Sequence, residues 1–190
     1  MIITVPKGTY QIIKGQSNIS LKSEFLGSGI GIGIIDLKNE IKLIGSCDPT
    51  NWKSNISSSP TIIDANELYA GFGLNWLWDV SIKNFIIKNA EIGIYGSCDN
   101  GNIENCVIYN CNSAGIYLTD SWDTSIKNCT IVNNGNGISG TLHNGNITNC
   151  IITNNGVGIY LWGDSDPILS YNCLLYTSDA ADELDGVDLG

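Results

Sequence analysis

The sequence predicts an all-β chain, a right-handed parallel β-helix (solenoid) of about 21–23 residues per coil. Three observations point there: a short unit that repeats, strand patterning inside each unit, and a composition suited to many tight turns. The unit appears as Ser81–Asn89 (SIKNFIIKN), Asn102–Asn110 (NIENCVIYN), Ser125–Asn133 (SIKNCTIVN) and Asn146–Asn154 (NITNCIITN). Its first Asn recurs after 21, 23 and 21 residues, and Asn172 follows after 23 more. A second element, Gly93–Tyr95, Gly115–Tyr117, Gly137–Ser139 and Gly158–Tyr160, recurs in step. Such a period is too short for helix-pair repeats. Within it, apolar residues alternate with a period of two, bounded by Asn and Gly. Gly is abundant at 22 and Pro scarce at 4, as short strands and tight turns require.

Stacking each strand on its equivalent one coil away, about 4.8 Å along the axis, lines up three inward ladders. They are Ile82/Ile103/Ile126/Ile147, Ile87/Ile108/Ile131/Ile152 and Ile94/Ile116/Ile138/Ile159. One coil cannot bury such faces alone, so stability comes from its neighbours. Asn84, Asn105, Asn128 and Asn149 are read as structural: Asn tolerates left-handed backbone, and stacked amides bond along the axis. Cys106, Cys129 and Cys150 share the position that Phe85 fills one coil earlier, which predicts a buried ladder of free thiols. Cys47 and Cys98, both in Gly-Ser-Cys-Asp, are expected in loops, with their pairing left open.

Upstream, Glu40–Gly45 and Pro60–Asp64 read as strands of earlier coils, and residues 46–59 as a loop projecting from the stack. Gly27–Gly33 (GSGIGIG) reads as a glycine-rich strand or turn, since no helix-forming segment follows to make it a dinucleotide loop. Met1–Tyr10 lacks the regions of a signal peptide and reads as a strand entering a turn, with Met1 an internal codon. The segment from Cys173 (CLLYTSDAADE) resembles a translated DNA-sequencing adapter, and the resemblance resumes over Gly186–Gly190 after an eight-base index. The expected organisation is therefore a β-helix over 1–172, truncated at both ends, and a non-native tail over 173–190. Cys173–Tyr176 also fits the repeat as a final strand. Setting the tail aside removes five of the 19 acids, leaving 14 against nine Lys and a net charge of −5 instead of −10.

The nine basic residues are all Lys. With that acidic balance, a nucleic-acid partner is not expected, because phosphate binding needs a basic face. No stretch has the ~18 uninterrupted apolar residues of a membrane span.

Chemistry is expected on the turns after the Gly-Ile-Tyr strands. Counting six residues from each repeat Gly puts Asp99, Ser121, His143 and Asp164 in one column. Asp99, His143 and Asp164 of that column, with Asp120 and Asp123, are the candidate catalytic groups, although Asp is also an ordinary turn residue. Carboxylates about 5 Å apart on neighbouring coils would suit a retaining glycosidase pair or a shared Ca²⁺, for which Asp164 and Asp166 are the candidates. Trp122 and Trp162, with Tyr117 and Tyr160, are candidate sugar-stacking surfaces.

Val5–Tyr10 (VPKGTY), Pro60–Asp64 (PTIID) and the Ile-x-Asn-Cys-x-Ile coils resemble the right-handed β-helix proteins of the pectate-lyase-like superfamily, over about residues 1–172. The resemblance implies the fold and a polysaccharide or surface glycan as partner. Pectate lyases of that fold typically use an Arg base beside acid-bound Ca²⁺, and Arg is missing here. Some relatives use Lys; Lys83 and Lys127 recur, read here as lacking acidic neighbours. The polygalacturonase motifs are not found. The expectation is thus a β-helix segment of an exported or cell-surface protein that contacts glycan without a complete catalytic set. The alternative is a polysaccharide lyase or glycoside hydrolase working through the acidic turn edge.

Overall fold

A computed structural model describes residues 2–6, 8–11, 35–36, 39–47, 61–65, 67 and 69–175. Among them run twenty strands: β1 (Ile2–Pro6), β2 (Gly8–Gln11), β3 (Ile35–Asp36), β4 (Lys42–Cys47), β5 (Thr61–Asp64), β6 (Ala70–Trp78) and β7 (Ser81–Lys83). They continue as β8 (Phe85–Lys88), β9 (Ile92–Asp99), β10 (Asn102–Glu104), β11 (Val107–Tyr109), β12 (Ala114–Trp122), β13 (Ser125–Lys127) and β14 (Thr130–Val132). The last are β15 (Asn136–His143), β16 (Asn146–Thr148), β17 (Ile151–Thr153), β18 (Val157–Leu161), β19 (Ile168–Ser170) and β20 (Cys173–Leu175).

These strands form three parallel sheets. Sheet A orders β1-β4-β7-β10-β13-β16-β19, sheet B β2-β5-β8-β11-β14-β17-β20, and sheet C β18-β15-β12-β9-β6-β3. From β6 onward the chain visits sheets C, A and B in turn, five times over. All three Ile ladders stand in the register expected of them. Phe72 and Phe85, in edge contact at 5.2 Å, fill the core where it continues into the earlier coils through Ile41, Leu43 and Ile63.

Each coil is three-sided because it has three left-handed corners. Asp79, Asn100, Asp123 and Asn144 turn from sheet C to A; Asn84, Asn105, Asn128 and Asn149 turn from A to B; Asn89, Asn110, Asn133 and Asn154 turn from B to C. All have φ between 50° and 62°. This backbone costs an ordinary L-residue about 1–2 kcal/mol, and short Asx side chains adopt it most readily. The amides bond along the axis as expected, Asn105 Nδ2 donating to Asn84 Oδ1 at 2.6 Å and Asn149 Nδ2 to Asn128 Oδ1 at 2.7 Å.

Several expectations are corrected. Tyr171, not Asn172, follows Asn149 at the A-to-B corner. Asn172 falls in the cysteine column, where its Oδ1 accepts the Cys150 N–H and its Nδ2 donates to the Ile147 carbonyl. The spacing of 23 misplaced it, since this last coil is one residue shorter. Cys98 lies inside β9 and is buried, not in a loop. Ser46 and Cys47 end β4, while residues 48–60 and Gly27–Gly33 lie outside the described residues. Cys98, Cys106, Cys111, Cys129 and Cys150 are free and buried. Cys173–Leu175 dock on β17 as the final strand; residues 176–190 lie outside the described residues.

Candidate functional site

Sheet C has the longest strands, and its outer face and rim carry most of the exposed aromatics. Gly73, Tyr95, Tyr117, Ser139 and Tyr160 occupy one outward column. Tyr69 meets Tyr95 edge-on at 5.2 Å, and Tyr95 meets Tyr117 at 5.5 Å. Partial burial first, then Tyr95, raises the Tyr69 phenol above its ordinary value. Trp162, just past β18, bridges the interruption at Ser139, touching Tyr117 at 5.7 Å and Tyr160 at 5.4 Å. Tyr69, Tyr160 and Trp162 are 48%, 55% and 40% exposed, so the track presents rings to solvent.

A second track follows the downstream rim of sheet C. Trp78 pairs with Asp99 and Trp122 with His143. Asp99 joins the two pairs, its Oδ1 accepting the Trp122 backbone N–H at 3.1 Å. The Trp122 indole stacks on the His143 ring, centroids 4.2 Å apart and planes 20° apart. Trp122 therefore replaces Ser121 in the expected column, and the reason is a β-bulge. Thr119 pairs with Thr141 and Ser121 with Leu142, leaving Asp120 as an extra residue on β12. Ser121 turns inward and is fully buried, its Oγ accepting the Cys98 N–H at 3.0 Å. Bulges re-aim side chains beside functional surfaces. This one brings Asp120 Oδ1 to 3.2 Å from His143 Nε2.

Both ring nitrogens of His143 face an oxygen. Its Nδ1 lies 3.0 Å from the Asp164 carbonyl oxygen, which can only accept, so that nitrogen carries the proton. The neutral ring then turns a lone pair toward Asp120, whereas the imidazolium donates to both oxygens. Nε2 is thus hydrogen-bonded to Asp120 only in the imidazolium. The ring works as a clamp that holds Trp122 against the next coil.

The remaining candidate acids lie in the turns. Asp123 is a left-handed corner residue, like Asn100 and Asn144 in the same column. Asp166 Oδ1 accepts the Asn144 N–H at 2.6 Å, while Asp164 offers its backbone oxygen to His143. Among the described residues no three His, Cys, Asp or Glu side chains gather as a metal site. Lys83, read as lacking an acidic neighbour, pairs with Glu104 one coil on at 2.6 Å. That hydrogen bond holds the Glu104 carboxyl below its ordinary value.

Sequence reasoning missed Tyr69, Tyr95, Trp76 and Trp78. The signal for Trp78 was there: Trp78–Asn84 (WDVSIKN) matches Trp122–Asn128 (WDTSIKN) 44 residues later, a repeat of two coils. Trp76 sits in the matching bulge of β6, between Leu74 and Leu77, and is 69% exposed.

The family model for the right-handed beta helix region matches residues 12–175. The chain belongs to that family. The match describes the coil architecture and carries no activity with it. No curated protein and no solved structure matches the chain.

Proposed function

We propose that this right-handed β-helix is a glycan-contacting segment of an exported or cell-surface protein, and that sheet C holds the ligand. The observation that carries this reading is the unbroken aromatic track Tyr69–Tyr95–Tyr117–Trp162–Tyr160, with ring contacts of 5.2–5.7 Å along the solenoid axis. Aromatic rings with an apolar body and a polar tip suit the mixed faces of a sugar. The Trp122–His143 stack adds a second platform at the rim. Asp99, Asp120, Asp164 and Asp166 make that rim acidic, so a neutral polysaccharide fits better than a polyuronate.

Tryptophan fluorescence and pull-down on a panel of insoluble and soluble polysaccharides test the reading. Binding to a neutral polymer should weaken about tenfold or more in Trp162→Ala and Trp122→Ala, because exposed aromatic anchors dominate such surfaces. A panel without a single binder would end it.

The Asp120–His143 pair keeps one alternative in view, a lyase or hydrolase acting at this rim. It requires His143 to leave the Asp164 carbonyl or Asp120 on substrate binding. Release of unsaturated or reducing ends from a polysaccharide, lost in His143→Gln, would favour it over binding alone.

A further inference from the structure

Around the corner from Trp78 and Asp99, on the outer side of sheet A, lies a cleft lined by Glu40, Lys42, Asp79, Ser81, Lys83 and Asn102, among others. Two buried polar atoms there, Ser81 Oγ and Asn102 Oδ1, make no hydrogen bond. Ser81 is only 6% exposed. A buried polar group without a partner costs about 1–3 kcal/mol, so such atoms call for an explanation.

The two-coil repeat supplies an internal comparison. Ser81 and Asn102 stand side by side on β7 and β10, as Ser125 and Asn146 do on β13 and β16, 44 residues further on. In the later pair, Ser125 Oγ donates to Asn146 Oδ1 at 2.8 Å. In the earlier pair that bond is open. Asn102 turns its Nδ2 toward Glu104 Oε2 at 3.4 Å, and Glu104 is itself fixed by Lys83 at 2.6 Å. The earlier pair differs by having Glu104 where the later has Thr148, and with Asn102 turned to that carboxylate one acceptor and one hydroxyl are left unsatisfied beside the cleft.

We infer that the open Ser81–Asn102 pair is the floor of a small site for a neutral, polyhydroxylated ligand, a single sugar unit or its equivalent. The chemistry of the lining selects that class. Asn102 Oδ1 demands a donor, while Ser81 both donates and accepts. Lys42 and Lys83 oppose a metal cation, and Glu40 and Asp79 oppose an anion. Hydroxyl groups, which donate and accept without charge, meet every part of this rim. The site stands apart from the aromatic track of sheet C and does not rest on the reading given to that track.

The test is ¹H–¹⁵N NMR of the full chain titrated with D-glucose, D-galactose, D-mannose and D-xylose, with D-galacturonate and calcium chloride as contrasting probes. At least one neutral sugar should shift the Asn102 side-chain amide and the Ser81 backbone amide saturably. Ser81→Ala should weaken that binding about tenfold, the worth of a lost hydrogen bond. The same variant should melt no lower than the parent, because it removes a hydroxyl that has no partner. Tyr117→Ala, on sheet C, should leave the titration unchanged, which separates failure here from failure of the aromatic track. The inference is overturned if no neutral sugar moves these amides, or if only galacturonate or calcium does. Unchanged binding in Ser81→Ala, or an ordered water that no sugar displaces in a crystal of the protein, would overturn it equally.

Discussion

Asn128 shows how single residues hold this fold. Its φ of 53° places it in the left-handed region, and its Oδ1 accepts from Asn149 one coil on. Asn128→Ala loses both the backbone tolerance and the amide bond, an expected cost of about 2–3 kcal/mol. Asn128→Gly keeps the backbone and should cost about 1 kcal/mol, close to the hydrogen bond alone. Urea melts of the two variants check the order; equal losses would mean that the corner is not strained. This column was legible in the sequence because a fixed Asn at a fixed period has few other physical causes. Asn134 and Asn155 were not. They are buried, bonding Cys111 N–H, Ile108 carbonyl and each other, and nothing in their spacing distinguishes them from the exposed Asn133 and Asn154 beside them. The candidate site divided in the same way. Trp122, Trp162, Tyr117 and Tyr160 were legible as types, an aromatic after a strand, but which one shares a column with Asp99 depended on Asp120 being an unpaired extra residue.

At the scale of the strand, bulged and unbulged coils alternate along sheet C. The bulges fall in β6 and β12, and the inner column facing them reads Leu74, Gly96, Leu118, Gly140 and Leu161. Glycine occupies the unbulged strands because those positions need φ of 127° and 122°. A Cβ at Gly140 would also run into the Leu118 carbonyl. Gly140→Ala is therefore expected to cost more than about 3 kcal/mol, combining positive φ with a backbone collision. Gly163, at φ 66°, has nothing nearer than 3.7 Å to its Cβ position. Gly163→Ala carries only the left-handed penalty, about 1 kcal/mol. Thermal melts should separate the two clearly, and similar losses would show that the collision relaxes. The 44-residue matches Leu74/Leu118, Gly96/Gly140 and Trp78/Trp122 made this alternation readable, but an average period of 21–23 residues hides it.

Across the whole molecule, the core is a stack of thiols as well as of Ile side chains, and this ties stability to alkaline pH. Burial pushes the Cys98 and Cys111 thiols up to about 11 from an ordinary 9.0. Cys129 and Cys150 are raised as well, first by the thiol neighbours Cys106 and Cys129 respectively, then by burial. The sign follows from proton counting. Below pH 9 the thiols are protonated folded or unfolded, and their burial is fully favourable. Between about pH 9 and 11 the unfolded chain sheds protons that the folded one keeps, so stability falls as pH rises. Two units at Cys98 or Cys111 correspond to roughly 2–3 kcal/mol each once pH passes 11. Melting should therefore be flat from pH 7 to 8.5 and then drop steeply by pH 10.5. In the double variant Cys98→Ala, Cys111→Ala the alkaline drop should be shallower, although the melting point at pH 7 is lower from lost packing. An alkaline slope that the double variant does not change would move the cause from the core thiols to repulsion among the chain's surface charges, already at a net −10 near neutrality.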